Sequence, residues 1–472
     1  MQRKFERYYI CQPLAFTAFR NETVHGMKIL LINPPRSPEN KILEYAPADA
    51  KHFIHKKLIG PPLGLLTIAA AVKDFDVRVI DLKGEYDLHP EAPDLKDQVI
   101  ASLEEFNPDI VGVTFIASEF YYGIDIFRTV KLFNSGILTV AGGLHVTICP
   151  GDFTDASVDV LCPGHSAGIF RELVIAREKG KPIETVPGIV LNTASGHLRT
   201  ALPDQAWDAA GKNFIMPDRS HLKRWLQTYK VGKDPSPATY IFTSLGCPYE
   251  CSFCSIWPQH DRKYYVRSVE SVIDELKQLQ EYETVRFADA NTIVDVNFIH
   301  ALFDRISEEG IKKKYIMDIR SDVAVRHPDL IEKLAGAGLK VVICGFESFR
   351  EEELRQYNKN TSVSYIKESI DIFHRNGIML RGNYIVPNGY DEDDFRALAD
   401  YAGSNRVVYA GYTILTPMPG TVFYNEIKDQ IIDRDLSKYN FFNSVLKTKL
   451  PLEKFYENIG KLWKIKLGED II

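Results

Sequence analysis

From residue 27 onward the chain alternates short unbroken apolar runs with longer segments whose apolar positions recur every three or four residues. Unbroken runs suit strands buried on both faces, and the longer spacing suits amphipathic helices. The first run is Lys28-Ile29-Leu30-Leu31-Ile32-Asn33, stopped by Pro34-Pro35; further strands are expected over 76–81, 109–114, 137–141 and 158–161. Helical spacing covers 64–72, 92–106 and 122–133. This alternation predicts a doubly wound parallel sheet, which binds ligands in the crevice beyond the carboxyl ends of its strands.

A second series follows, with strands expected over 239–243, 284–288, 315–319, 340–344, 380–386 and 407–415. Helices are expected over 269–282, 297–309, 328–337, 365–376 and 392–401. Six strands in such a series predict a (βα)6 partial barrel, with its chemistry at the carboxyl ends of the strands. The expected organisation is an aromatic-rich extension (1–26), a first α/β domain (27–200), a linker packed on the surface (201–236), the barrel domain (237–426) and a mixed helical tail (427–472). The expected fold class is therefore α/β: a Rossmann-like doubly wound sheet, then a partial TIM barrel, then a short helical tail.

Composition narrows the function. A length of 472 residues exceeds one average domain. The net charge of −6 leaves no basic footprint for nucleic acid. The longest apolar run, 63–72, is too short to span a bilayer. Arg3, Lys4 and Arg7 are followed by no long apolar stretch or cleavage site, so no signal peptide is expected. The expected location is the cytoplasm, where thiols stay reduced.

Of the seven cysteines, Cys149, Cys162 and Cys344 read as buried thiols, and Cys11 carries no pattern. Cys247, Cys251 and Cys254 differ, because they share the run Leu245-Gly246-Cys247-Pro248-Tyr249-Glu250-Cys251-Ser252-Phe253-Cys254. Thiolates are soft ligands for iron–sulfur clusters and zinc. Three on one loop can hold three irons of a cubane and leave the fourth open, whereas clusters that only carry electrons usually have four cysteine ligands. Zinc with His260 as fourth ligand is the competing expectation. His260 lies in the polar run Pro258-Gln259-His260-Asp261-Arg262-Lys263, which reads as a solvated loop and favours the cluster.

The C-x3-C-x2-C loop follows an apolar strand and carries Phe253 before its third cysteine. In these respects it resembles the radical S-adenosylmethionine superfamily. Three earlier runs, Pro34-Pro35, Gly60-Pro61-Pro62-Leu63-Gly64-Leu65 and Gly142-Gly143-Leu144-His145-Val146-Thr147, resemble the cobalamin-binding domain that precedes many such cores. Thr416-Pro417-Met418-Pro419-Gly420-Thr421 resembles the Pro-x-Pro-Gly-Thr run of cobalamin-type members. The resemblance to cobalamin-dependent radical S-adenosylmethionine enzymes covers 27–425, and the stretch 446–456 looks similar to the tail of hopanoid C-3 methylases and archaeal lipid ring synthases.

That resemblance implies three cofactors: a [4Fe-4S] cluster on Cys247, Cys251 and Cys254, S-adenosylmethionine, and cobalamin. For S-adenosylmethionine it implies Phe253, Asp289 and Asn291 (toward the ammonium), Arg320 (toward the carboxylate), Glu347 with Ser348 (toward the ribose) and Pro387 (near the adenine). Read from the residues alone, Asp289 and Asn291 equally suit loop capping, Arg320 a surface ion pair and Glu347 a solvated helix start. For cobalamin the implied residues are Pro34, Pro35, Gly142, Gly143, His145 and Thr147. Two departures stand out. No Asp-x-His-x-x-Gly follows the first strand, so no histidine is expected on cobalt. Gly164-His165-Ser166-Ala167-Gly168 stands where the family often has Gly-Glu-Gly-Glu.

The chemistry implied is a radical that takes hydrogen from an unactivated carbon, which requires no acid–base dyad; no catalytic side chain is assigned. No Gly-x-Ser-x-Gly elbow or Walker loop is present. The first expectation is a C-methyltransferase acting on a hydrophobic, isoprenoid or hopanoid, small molecule. The alternatives are a cyclase or ring-forming enzyme of tetrapyrroles or lipids, and a non-enzymatic corrinoid or cluster sensor. The expected partners are that substrate and an electron donor such as flavodoxin or ferredoxin. Tyr409, Tyr412, Phe423, Tyr439, Phe441, Phe442 and Phe455 would suit a large apolar substrate.

Overall fold

The computed structural model describes residues 26–54, 60–201, 214–230, 236–407 and 410–464. The expected N-terminal extension up to residue 25, and Tyr409, lie outside these. In the first domain β1 (Lys28–Asn33), β2 (Asp76–Asp81), β3 (Ile110–Thr114), β4 (Leu138–Gly142) and β5 (Val160–Cys162) run parallel. Side-chain alternation explains the unbroken apolar runs. Ile29 and Leu31 pack on one face with Leu65 and Phe170, while Leu30 and Ile32 pack on the other with Phe106 and Phe127. An antiparallel hairpin, β6 (Val190–Thr193) and β7 (Gly196–Arg199), extends the sheet to seven strands in the order β2-β1-β3-β4-β5-β6-β7. The hairpin was not expected, because β7 is exposed along its length and carries no apolar signal.

The second domain begins with β8 (Ala238–Ile241). A short antiparallel pair, β9 (Ser244–Gly246) and β10 (Tyr264–Val266), brackets the cysteine loop. Then come β11 (Thr284–Phe287), β12 (Lys314–Asp318), β13 (Leu339–Glu347), β14 (Met379–Val386) and β15 (Gly411–Ile414). Together with β8 they form a six-stranded, all-parallel sheet in sequential order, the expected partial barrel. Ile241, Phe287, Met317, Val342, Leu380 and Tyr412 point outward and share one core with the surrounding helices. Alternation turns Tyr240, Arg286, Asp318, Arg381, Asn383 and Thr413 to the concave side, where all are part-buried.

Two segments depart from the expected domain boundaries. Residues 37–54 follow β1 yet pack on the barrel and tail: Ile42, Ala46, Ala50 and Ile54 join the barrel core. Lys41 N donates to Asn443 Oδ1 at 2.9 Å, and Asn440 Nδ2 donates to Glu39 O at 2.6 Å. Of the expected linker, the described stretch 214–230 is a wedge rather than a surface strap, because Leu222, Trp225 and Tyr229 are buried against Leu63 and Leu66. Their polar tips are bonded, as buried Trp and Tyr require: Trp225 Nε1 donates to Glu85 at 2.7 Å and Tyr229 OH to Asp81 at 2.6 Å. Arg219 ties the same segment to the barrel through Tyr240 O and Glu275, both at 2.6 Å.

The tail closes with the helix Leu452–Leu462, whose Phe455 and Tyr456 lie in the barrel core. Of the aromatic residues expected to suit a substrate, Tyr412, Tyr439 and Phe455 are such core residues. Among the described residues no helix is long and apolar enough to cross a membrane.

Candidate functional site

The cysteine loop is fixed at both ends before any ligand is considered. Beyond β8, Asp289 Oδ1 accepts from the backbone N–H groups of Thr243 and Ser244, each at 2.8 Å, and its Oδ2 accepts from Thr243 Oγ1 at 2.6 Å. Gly246 then turns the chain at φ +82°, where an added Cβ would lie 2.0 Å from the Lys263 carbonyl oxygen. Neighbouring elements pin the loop itself. Ser252 N donates to Tyr357 O at 3.0 Å, Phe423 N to Ser252 O at 2.9 Å, Asn358 Nδ2 to Glu250 O at 2.8 Å and Trp257 Nε1 to Cys251 O at 2.9 Å. Phe253 meets Tyr357 edge-on at 5.6 Å.

Cys247, Cys251 and Cys254 are all free thiols on this pinned loop. Burial pushes all three upward in pKa, Cys254 to about 11. Such groups stay protonated unless a metal takes the proton's place, and three soft donors on one loop fit an iron–sulfur cubane. His260 does not turn toward them. Its Nδ1 faces His165 Nε2 of the first domain at 3.1 Å with the rings stacked. Asp261, Arg262 and Lys263 of its segment are exposed, as expected of a solvated loop, while burial followed by the His165 charge lowers the pKa of His260 to about 4.

The expected S-adenosylmethionine residues gather around the loop but divide in character. Asn291 fits a ligand: it is 3% exposed, and its Oδ1 has no hydrogen-bond partner. A buried unsatisfied acceptor costs on the order of 1–3 kcal/mol, which a ligand N–H would relieve. Glu347 sits at φ +63°, beside a register shift between β13 and β14. Non-glycine residues held in that region cluster at functional sites. Its Oε1 accepts from Lys359 Nζ at 2.7 Å, leaving the other oxygen available.

Asp289, Ser348 and Arg320 are largely committed within the protein. Asp289 braces the loop, and burial raises its pKa to about 6. Ser348 Oγ donates to Glu353 and accepts from Arg350 N at 3.0 Å. Arg320 is no surface ion pair: it is 7% exposed, its Nη2 donates to Lys359 O at 2.8 Å and Asn360 O at 3.0 Å, and its Nε donates to Asp322 at 2.8 Å. Pro387 lines a cavity of about 470 Å³ with Ser252, Tyr357, Tyr390 and Phe423. Lys359 was missed in the sequence. It is 8% exposed, and Glu347 overcomes the opposing effect of burial to raise its pKa. The available signal was Asn358-Lys359-Asn360, whose asparagines take φ +49° and +51° in a tight turn.

The loops of the first domain offer backbone rather than side chains. Pro34 and Pro35 end β1 and are buried. Gly143 has φ +100°, and a Cβ there would lie 2.7 Å from Thr114 Oγ1 and 2.8 Å from Phe115 N and O. A Cβ on Gly142 would meet nothing nearer than 3.8 Å, which leaves room for a large ring. Thr147 Oγ1 donates to Gly143 O at 2.9 Å and accepts from Gly164 N at 2.8 Å. His145 is 4% exposed, lies edge-on to Phe120, and has its Nε2 2.9 Å from Asp152 Oδ2. The loop after β1 contains no histidine.

The carboxyl edges of the two sheets meet. Gly420, beyond β15, seats so closely on the first domain that a Cβ would lie 1.8 Å from Ile148 Cγ2, beyond β4. The helix Leu144–Ile148 also touches Ile256–Gln259, which follows the cysteine loop. Residues 241–402 match the Radical SAM superfamily, and residues 54–174 match the B12 binding domain. The chain thus carries a radical SAM core and a B12-binding domain, the two domains of the cobalamin-dependent radical S-adenosylmethionine enzymes. Members of this group use a [4Fe-4S] cluster, S-adenosylmethionine and cobalamin, and the donor sets above fit all three.

Comparison with individual members of this radical S-adenosylmethionine group agrees. The chain is 27% identical over 417 residues to hopanoid C-3 methylase of Methylococcus capsulatus, covering 86% of this chain and 76% of that protein. It is 26% identical over 407 residues to the anaerobic magnesium-protoporphyrin IX monomethyl ester cyclase of Cereibacter sphaeroides, covering 82% of this chain and 64% of that protein. The fold matches the radical S-adenosylmethionine methyltransferase TsrM of Kitasatospora setae, solved with cobalamin and a [4Fe-4S] cluster. The TM-score is 0.66 at 19% identity, over 91% of this chain and 84% of that one.

Proposed function

We propose that this enzyme transfers a methyl group to an unactivated carbon of a small molecule. The observation that carries the reading is the seating of Gly420 against Ile148, since it brings the ligand-facing edges of both domains to one boundary. When bound, the cluster and cobalamin supply an electron for cleaving S-adenosylmethionine and a carrier for a methyl group. The protein's part is to hold and orient. Cys247, Cys251 and Cys254 hold the cluster. Asn291 Oδ1 accepts from the ammonium of S-adenosylmethionine, the free oxygen of Glu347 accepts from a ribose hydroxyl, and Nη1 of Arg320, which makes no hydrogen bond among the described residues, reaches the carboxylate. Gly142 and Gly143 admit the corrinoid face.

Similarity to the hopanoid C-3 methylase supports a substrate with an extended hydrocarbon framework, and similarity to the cyclase supports ring formation as the second reading. The electron donor is a small carrier such as flavodoxin or ferredoxin. The test is anaerobic incubation of the reconstituted enzyme with reductant, S-adenosylmethionine and candidate substrates. Methyl transfer gives 5′-deoxyadenosine and S-adenosylhomocysteine together. Substrate turnover with 5′-deoxyadenosine alone rejects methyl transfer in favour of ring formation.

A further inference from the structure

The concave face of the barrel carries an unbalanced charge. Arg286 and Asp318 satisfy each other: Nη2 and Nε of the guanidinium reach Asp318 Oδ2 at 2.8 and 3.3 Å. Arg381 lies on the same face, in register with Ile343, which is itself in register with Asp318. Yet Arg381 makes no hydrogen bond or ion pair among the described residues. Asn383, two positions further along the same face, is likewise without a side-chain partner there. Gly411 stands directly opposite Asn383 on the neighbouring strand. A Cβ on Gly411 would lie 2.5 Å from Asn383 Oδ1 and 3.5 Å from Arg381 Nη2, so glycine is what lets the Asn383 amide lie over this strand beside the Arg381 guanidinium.

We infer that the barrel lumen binds an oxyanion of the substrate, a carboxylate or phosphate, through the Arg381 guanidinium and the Asn383 amide, which Gly411 allows to lie side by side. This rests on the lumen being the substrate site of the proposed reaction. Guanidinium groups match planar oxyanions with paired N–H donors. A guanidinium cannot shed its proton inside a protein, so a part-buried one without a partner is a standing cost that an anion removes. Burial and the like charge of Arg286 lower the pKa of Arg381 against the attraction of Asp318, a carboxylate it shares with Arg286 without a direct contact.

The position also constrains the substrate. Asn383 is in register with Gly345, and the register shift there pairs Glu347 with the very next residue, Tyr384. At roughly 3.3 Å per strand residue, Asn383 lies only about one residue toward the barrel floor from the ribose-facing carboxylate. The substrate's anionic group therefore sits just below the ribose-facing carboxylate, inside the lumen.

The test is calorimetric binding of octanoate, octyl phosphate and octanol to the full chain carrying cluster, cobalamin and S-adenosylmethionine. At least one anion is expected to bind about tenfold or more tighter than octanol, as charge-assisted hydrogen bonds allow. Whichever anion wins identifies the group as carboxylate or phosphate. Arg381→Gln should erase the margin while iron content, cobalamin content and S-adenosylmethionine affinity stay unchanged. Arg381→Lys should keep part of it, and Gly411→Val should narrow it with the charge intact. Equal binding of all three ligands, binding of none, or a margin that survives Arg381→Gln would overturn the proposal. If the anion margin holds but S-adenosylhomocysteine never forms on turnover, methyl transfer falls and the anion site stands.

Discussion

At the barrel's carboxyl edge several side chains are left wanting a partner. Asn291 Oδ1 is buried without a hydrogen bond, Glu347 is held at φ +63°, and three thiols are pushed above their ordinary pKa. At the facing edge of the first domain the side chains turn mostly toward one another. Thr147 spans Gly143 and Gly164, His145 lies against Asp152 although its Nε2 makes no hydrogen bond among the described residues, and what stays open is mainly backbone at Gly142 and Gly143. The barrel edge is built from groups whose chemistry needs a small ligand. The other edge is a clearing shaped for a large flat one. The first should be damaged by removing atoms and the second by adding them.

The largest effect tests removal. Changing Cys247, Cys251 and Cys254 together to alanine should abolish cluster iron in anaerobically reconstituted protein, whereas Cys149→Ala, Cys162→Ala and Cys344→Ala should each keep it in full. Full iron in the triple variant, or zinc in place of iron in the wild type, would break the comparison. Lys359→Met comes next. It strands the buried Glu347 carboxylate, and breaking such a pair costs about 3 kcal/mol or more. A fall in melting temperature with weaker S-adenosylmethionine binding is expected, and Glu347→Gln in the same chain should restore part of the stability.

Gly143→Ala tests addition. Its Cβ would meet Thr114 and Phe115 at a φ of +100°, a strain of about 1–3 kcal/mol before any clash. Cobalamin retention should drop while cluster iron is unchanged; loss of both together would mean that the two edges are not independent. The smallest effect is pH-dependent. His260 titrates near 4 when folded and near its ordinary value when unfolded. A depressed histidine pKa means that the unfolded chain binds the extra proton, so its contribution is constant above about 6.5 and stability falls as the pH drops from there toward 4. His260→Phe should flatten that part of a melting-temperature profile, and an unchanged profile would count against the His165–His260 contact.

Most strands were legible because a strand buried on both faces must be apolar at every position, as in Ile29 to Ile32, and because helices against such sheets carry one apolar stripe. The cysteine loop was legible because its chemistry resides in spacing alone. Asp289, Arg320 and Ser348 gather near the cysteine loop, but their commitments were not legible, since the partners are Thr243, Lys359 and Glu353, set by tertiary contact. The same holds for Lys359 and the His165–His260 pair. The linker read as surface because Trp225 and Tyr229 are sparse in a polar segment, and only the folded chain brings Glu85 and Asp81 to their polar tips. The aromatic residues near β15 divide. Large rings such as Tyr412 and Phe455 fill cores more often than pockets, and here they do, whereas Phe423 lines the cavity beside Pro387.

The meeting of the two edges can be measured without knowing the substrate. Electron paramagnetic resonance of the holoenzyme, with cobalamin as cobalt(II), should show faster relaxation of the cobalt signal once the cluster is reduced to its paramagnetic state. Such enhancement requires the two centres to be close, as the Gly420–Ile148 contact demands. A cobalt signal indifferent to the state of the cluster, in protein holding full complements of both, would contradict a shared site.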